Sequence, residues 1–563
     1  MNRKPSGAPG AVPLFGAARG ASPLSLALGA ALCAAALCLA LAACAAPKGA
    51  AGPGGPLPSE APRYVESQKS MESLAPPPPS PSMSRAMAPS AKAAADQGSS
   101  GAAAGGQASA DEYKGIVENE FKEAAKEPLS TFAADVDTAS YANVRRFVAE
   151  GSLPPPDAVR IEELVNYFDY GWAEPKAVDG RPAPPLAATV EAAPAPWAPE
   201  RRLLAIGLRT RSVAAENLPP ANLVFLVDSS GSMSSPDKLP LVQRAFSLLA
   251  DTLRPQDRVA IVAYAGSAGV VLPPTSGSEK TKILEALERL SAGGSTAGGE
   301  GIVLAYETAL ANFRKGGNNR VILATDGDFN VGPSSEKELL ALVEDYRKKG
   351  VFLSLMGFGR GNLKDSRMEA LADKGNGNYS YVDTLAEARR LLVEEMGATL
   401  LTVAKDVKLQ VEFDPKAVRS WRLVGYENRL LAAEDFADDT KDAGEMGAGH
   451  RVTALYEIEP EPGASPRSLG VLRVRYKKPA EEQSALLEFP LLDEGRGADG
   501  ASADWKLASA AAAYGLVLRD SKHKGRADFG LVLSLAKEAA KAAPSDRRLE
   551  FVGLVEKAAA LKR

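Results

Sequence analysis

An uninterrupted apolar run, Leu223-Val224-Phe225-Leu226-Val227, ends at Asp228. A strand that is apolar at every position, not every second one, has both faces buried, as in a parallel sheet with helices on either side. Directly past it come Ser229-Ser230-Gly231-Ser232. A carboxylate and two hydroxyls at alternate positions there point oxygens into the crevice where open α/β sheets bind ligands. Gly231 gives the backbone freedom for a tight loop. Oxygen donors of this kind suit a hard divalent cation such as Mg²⁺ or Ca²⁺. Asp, Ser and Gly are also ordinary turn residues, so the pentapeptide alone fits a solvated loop equally well.

Two later segments weigh against the plain loop. Thr296 sits in Gly293-Gly294-Ser295-Thr296-Ala297-Gly298-Gly299, between two expected helices. Asp326 sits in Thr325-Asp326-Gly327, again after an apolar run, Val321-Ile322-Leu323. These segments together resemble the metal-ion-dependent adhesion site (MIDAS) of the von Willebrand factor type A (VWA) family. The resemblance implies a Rossmann-like, doubly wound α/β fold with a mainly parallel sheet. It makes Ser230, Ser232 and Thr296 hydroxyl ligands, with Asp228 and Asp326 binding directly or through water. The implied cation is Mg²⁺ first, with Ca²⁺ or Mn²⁺ as alternatives. Neutral hydroxyls are weak donors that leave such an ion electrophilic, so an open position would favour an Asp or Glu from a partner protein.

Neighbouring residues have simpler readings. Asp328 fits a turn better than a place behind the ligands. Glu300 opens an expected helix, where a carboxylate favours the positive dipole end. The glycine-rich stretch 293–301 is not followed by Gly-Lys-Ser/Thr, which argues against nucleotide binding. Asp135 and Asp137 read as a local cap or turn, and His450 as a hydrogen-bonded structural residue.

Composition narrows the function classes. Sixty-six basic and seventy acidic residues give a net charge of -4, which offers nucleic acid no basic surface. The histidines are His450 and His523, and the three cysteines, Cys33, Cys38 and Cys44, all precede residue 45. A thiolate- or histidine-rich zinc site therefore lacks ligands. Arg3, Lys4 and Arg19 precede an Ala/Leu-rich run ending Leu39-Ala40-Leu41-Ala42-Ala43-Cys44, which reads as an export signal. Its end resembles the lipobox of bacterial lipoproteins, implying a lipidated Cys44, removal of residues 1–43 and, with Ala45 rather than Asp following, an outer-membrane address. An uncleaved membrane-spanning helix is the alternative.

Residues 44–111 are dominated by Ala, Gly, Pro and Ser, including Pro76-Pro77-Pro78-Pro79, and read as a disordered tether. An N-terminal α+β domain follows over 112–217. Helices are expected over Ala142–Glu150 and Ile161–Phe168, and strands over Ala187–Ala192 and Leu203–Leu208. In 218–398 strands alternate with helices, as right-handed βαβ units require. From 399 to 563 the pattern becomes period-two strands (Val407–Phe413, Val452–Ile458, Leu472–Tyr476), expected to form a sheet with one wet face. Helices over 505–518, 529–541 and 547–561 close the chain.

The stretches Asp135-Val136-Asp137-Thr138-Ala139-Ser140-Tyr141, Pro155-Pro156-Asp157-Ala158-Val159-Arg160-Ile161-Glu162-Glu163 and Gly447-Ala448-Gly449-His450 resemble bacterial YfbK-type VWA lipoproteins. That resemblance spans nearly everything after the tether. It implies a small N-terminal domain, a central VWA domain and a C-terminal domain of unknown function, and says little of physiology. The metal-site pattern and the export signal are what point to a membrane-anchored, non-enzymatic protein-binding module. The alternatives are a scaffold subunit of an envelope complex whose metal site is idle, or a metal-dependent hydrolase. The last lacks a visible nucleophile–histidine pair.

Overall fold

The computed structural model describes residues 111–562 apart from 135–136, 178–181, 296–297, 328–335, 442, 464–466 and 480. Cys44, the 1–43 signal, all of the 44–111 tether except Asp111, and Asp135, Thr296 and Asp328 lie outside the described residues.

The chain enters through short strands β1 (Lys122–Glu123) and β2 (Leu129–Ala133). Helices α1 (Ala139–Ala149) and α2 (Ile161–Asn166) follow, separated by Pro154-Pro155-Pro156. A long antiparallel hairpin then forms from β3 (Leu186–Ala195) and β4 (Ala198–Thr210).

The central region holds β5 (Ala221–Asp228), α3 (Leu239–Thr252), β6 (Arg258–Tyr264), β7 (Ala268–Ser276), α4 (Lys280–Glu288) and α5 (Gly298–Ala311). It continues with β8 (Asn318–Thr325), α6 (Glu336–Lys348), β9 (Phe352–Phe358), α7 (Asp365–Lys374) and β10 (Tyr379–Val382). Helix α8 (Leu385–Arg389), a π-helical turn over Arg390–Glu394 and α9 (Met396–Leu400) end it. Among the described residues these strands form one sheet in the order β10-β9-β8-β5-β6-β7, parallel except for β7. The apolar run in β5 divides between two cores, as a doubly covered strand must. Leu223, Phe225 and Val227 pack with Val242, Phe246 and Leu249 of α3, while Val224 and Leu226 pack with Ile302, Ala305 and Tyr306 of α5. This is the expected doubly wound α/β fold.

The last third comprises β11 (Thr402–Phe413), β12 (Val418–Val424), β13 (Gly444–Gly447), β14 (Arg451–Pro460), β15 (Ser468–Lys477) and β16 (Ser484–Leu492). Helices α10 (Ala503–Leu518), α11 (Phe529–Ala542) and α12 (Asp546–Leu561) follow. These strands do not form a sheet of their own. One sheet runs β1-β12-β14-β4-β3; the other runs β13-β11-β15-β16, with β2 also paired to β11. The segments before and after the central region therefore share both sheets. A common core holds Leu204 and Ile206 of β4, Val411 of β11, Tyr456 of β14 and Leu472 of β15. Helix α10 lies on α2 so closely that a Cβ at Gly515 would stand 2.8 Å from Ile161 Cγ1.

The expected wet face is partly covered: Arg473, Glu412 and Glu488 stay open to solvent, but part of β11 is not. Lys408 and Gln410 on β11 are buried. The Lys408 ammonium donates to the carbonyls of Asp435 and Asp438, and Gln410 Nε2 donates to Thr131 Oγ1 at 3.0 Å. The loop carrying Asp435 covers what alternation alone assigns to solvent.

Arginines fasten the central region to this shared body. Arg145 on α1 donates to Asp383 Oδ2 at 2.7 Å and to Glu387 Oε2 at 2.8 Å. Arg160 meets Asp365 Oδ2 at 2.5 Å.

Candidate metal centre

Strands β5 and β8 lie side by side in parallel, with Val227 opposite Ala324. Asp228 and Thr325 consequently finish level at the carboxyl edge, and Asp326 follows. Asp228 is fully buried and Asp326 nearly so. Asp228 Oδ1 accepts the Ser230 backbone N–H at 2.9 Å. Its Oδ2 accepts the hydroxyls of Tyr264 at 3.2 Å and Thr325 at 3.1 Å. Burial raises the pKa of the Asp228 carboxyl and the nearby Asp326 charge adds to it, while bonds from Ser230 and Thr325 pull the other way. Ser230 Oγ and Ser232 Oγ stand 3.0 Å apart, the first buried and the second exposed. The oxygens thus run from the sheet edge out to the surface.

The glycine-rich loop is tied to the Asp228 loop by its backbone. Gly231 N–H donates to Gly294 O at 3.0 Å, and Gly293 N–H donates to Ser229 O at 2.8 Å. Gly294 adopts φ +79, in the left-handed region that favours glycine. Thr296, two residues on, is outside the described residues. Beyond it, a Cβ at Gly301 would meet the Tyr264 ring at 2.9 Å. The glycine lets α5 lie against the tyrosine that bonds Asp228, which gives this stretch a packing role.

Sequence reasoning missed Lys238. Its ammonium donates to Asp326 Oδ2 at 2.7 Å, with the lysine side chain 11% exposed and the aspartate side chain 0%. The stem passes over Gly359, whose φ is +71 and where a Cβ would fall 2.3 Å from Lys238 Cγ. The available signal was a lysine just ahead of an apolar helix, on the same loop as the serines. The ammonium meets Asp326, while Asp228 is held by hydroxyls and a backbone N–H.

This donor set fits a hard divalent cation: carboxylate and hydroxyl oxygens with no sulfur or imidazole. Among the described residues no cluster of three or more His, Cys, Asp or Glu residues has metal-binding spacing. A site here therefore depends on hydroxyls as well as carboxylates.

The family model for the von Willebrand factor type A domain matches residues 222–394, and a second von Willebrand factor model matches 107–205. A third, "Uncharacterized protein YfbK, C-terminal", matches 398–561. The chain is 44% identical over 464 residues to the "Uncharacterized protein YfbK" of Escherichia coli (strain K12), covering 79% of this chain and 80% of that protein. The chain belongs to the YfbK family. A second relative, "Uncharacterized protein sll0103" of Synechocystis, is 28% identical over 303 residues, covering 52% of this chain and 70% of that protein. The solved von Willebrand factor type A protein from Catenulispora acidiphila matches at 17% identity and a TM-score of 0.40, over 69% of this chain and 91% of that one. Its VWA domain places this YfbK relative among protein-interaction modules.

Asp137, read as a local cap or turn, has partners far along the chain in this YfbK relative. Its Oδ1 accepts Tyr379 N–H at 2.8 Å and its Oδ2 accepts Arg429 Nη2 at 3.0 Å, joining α1 to β10 and to the last third of the chain. Glu300 lies exposed in the first turn of α5. The His450 backbone bonds Thr210 and Gly447, and burial lowers the pKa of its imidazole. Among the described residues no helix is long and apolar enough to cross a membrane.

Proposed function

We propose that this chain is a lipid-anchored binding module of the bacterial envelope. In this reading Asp228, Ser230, Ser232, Thr296 and Asp326 surround a divalent cation, Mg²⁺ in the first instance, that takes an acidic side chain from a protein partner. The observation that supports it is the pair of buried carboxylates at the ends of β5 and β8, continued to the surface by Ser230 and Ser232. Carboxylates this deep are costly unless positive charge meets them. Lys238 supplies one such charge. A divalent cation would bring further positive charge to the pair, which suits an incoming carboxylate. When bound, the ion would supply an electrophilic contact at the centre of an interface. The protein's own groups hold the oxygens in place: the Ser230 N–H, Tyr264 and Thr325 orient Asp228, and Lys238 orients Asp326.

The function is binding, not catalysis. The anchor is Cys44, supported by the export signal and the Leu41-Ala42-Ala43-Cys44 ending, with the outer membrane as its address. The test uses the full chain. Envelope proteins retained by wild type should elute with EDTA, and Asp228→Ala should keep its fold while losing both Mg²⁺ binding in calorimetry and the EDTA-eluted proteins. Retention that ignores EDTA and Asp228→Ala would refute the metal-centred reading. It would favour a metal-independent scaffold, the reading suggested by the Lys238 ammonium already seated on Asp326. Labelled palmitate incorporation, lost in Cys44→Ser, tests the anchor.

A further inference from the structure

At the opposite edge of the six-stranded sheet from Asp228, a cavity of about 150 Å³ opens between the sheet, the π-helical turn and the loop joining β13 to β14. Its lining is mixed: Leu223, Leu249, Ile322 and Met356 give an apolar patch on the sheet and α3 side, and Asn376, Glu445 and His450 are among the polar residues that complete it. Arg320, at the start of β8, breaks this surface. It is 3% exposed. Its Nη1 donates to Ser354 Oγ at 2.6 Å, its Nε finds no acceptor, and its guanidinium lies 5.5 Å from the Phe352 ring centroid.

The contrast with other buried arginines is sharp. Arg160 meets Asp365, Arg390 meets Glu387, and Arg422 meets Glu457, each within 2.8 Å. Arg320 has no carboxylate within ion-pair distance among the described residues. Glu445, also on the lining, acts on it only at longer range and accepts Asn376 Nδ2 at 3.1 Å. Burial pulls the Arg320 pKa down to about 10, offset only in part by the Glu445 charge and Tyr306. A buried cation without a close anion is costly. A guanidinium presents a planar fork that matches a carboxylate with two parallel hydrogen bonds. A cavity of about 150 Å³ has room for a benzene-sized body.

We propose that this cavity is a binding site for a small organic carboxylate, with the acid group on Arg320 and the apolar body against Leu223, Leu249, Ile322 and Met356. The site is separate from the proposed metal centre and does not depend on it. It also gives a role to a buried arginine at the start of β8 that has no carboxylate partner among the described residues.

Benzoate is the probe, added to the full chain with benzamide, phosphate and sodium chloride at equal ionic strength as comparisons. Benzoate should bind saturably in calorimetry and raise Tm, while benzamide, phosphate and chloride do not. Arg320→Met should weaken benzoate binding about tenfold or more, as expected for losing a charge-assisted pair. That variant should fold at least as stably as wild type, because it removes an uncompensated charge. Met396→Phe, which narrows the cavity and keeps Arg320, should also weaken benzoate, and it decides the matter if Arg320→Met does not fold. The proposal is overturned by absence of saturable benzoate binding, by equal binding of benzamide or phosphate, or by unchanged benzoate affinity in Met396→Phe or in a folded Arg320→Met.

Discussion

Lys238 sets the character of the candidate centre more than any serine does. Its ammonium on Asp326 is an internal cation, held there because Gly359 has no side chain to displace the lysine stem. Removing one member of a buried pair leaves the other uncompensated, at a cost of order 3 kcal/mol. Lys238→Met should therefore unfold at lower temperature than wild type in EDTA. Millimolar Mg²⁺ should recover most of that loss, because the proposed ion would meet the same carboxylates. A thermal shift with Mg²⁺ no larger than wild type's would count against any ion near Asp326. Gly359→Ala, which pushes the lysine aside, should behave in the same direction. Asp228, Ser230 and Ser232 are legible in the sequence because one loop carries all three after one strand. Asp326 is legible because a second apolar run points to it. Lys238 is not, since a lone lysine before a helix looks like any solvated charge. Asp137 misleads for a related reason: its partners Tyr379 and Arg429 are more than two hundred residues away.

Helices α1 and α8 are joined by a network of ionised groups whose strength depends on pH. Burial disfavours the charged form of Glu387, but Arg390 and Arg145 outweigh it and hold its pKa down to about 2, against an ordinary 4.5. The contribution is complete above about pH 4.5 and is lost as pH falls toward 2, amounting to of order 3 kcal/mol over that window. Glu387→Gln should be less stable near neutrality and show a flatter acid limb. Urea midpoints measured from about pH 6 down to pH 3 check this, and parallel curves for the two proteins would sink it. At this scale most of the central region is readable from apolar periodicity. The exceptions are physical. Strand β7 carries Pro273 and Pro274, which the sequence treats as breakers, yet they sit on an antiparallel edge strand where the register with β6 shifts between Val259 and Ile261, a place that tolerates prolines. Helix α7 is short and rich in charge, so its apolar positions Met368, Leu371 and Ala372 make a weak stripe.

Two segments far apart in the chain build one body here, with the VWA domain inserted between them. Strand β4 pairs with β14, β2 pairs with β11, and α10 packs on α2. Residues 112–217 alone would keep only the β3–β4 hairpin, leaving β1 and β2 unpaired and β4 without β14, so that fragment should show no cooperative melting. Residues 218–398 keep their sheet and nearly all of both cores, and should melt cooperatively. Calorimetry on the two fragments checks this; a sharp transition for 112–217 would contradict the shared body. Local patterns identify most of these strands but hold no information about which will pair across some two hundred and fifty residues. The interleaving is therefore the least legible part of the molecule. It has a mechanical corollary. The VWA domain is entered from β4 and left into β11, which lie in different sheets of one core. A pull on a captured partner, resisted at the amino terminus, would load both sheets in shear instead of peeling one linker. Optical-trap extension of residues 112–563 should then show one high-force rupture, since both connections of the VWA domain run into one core.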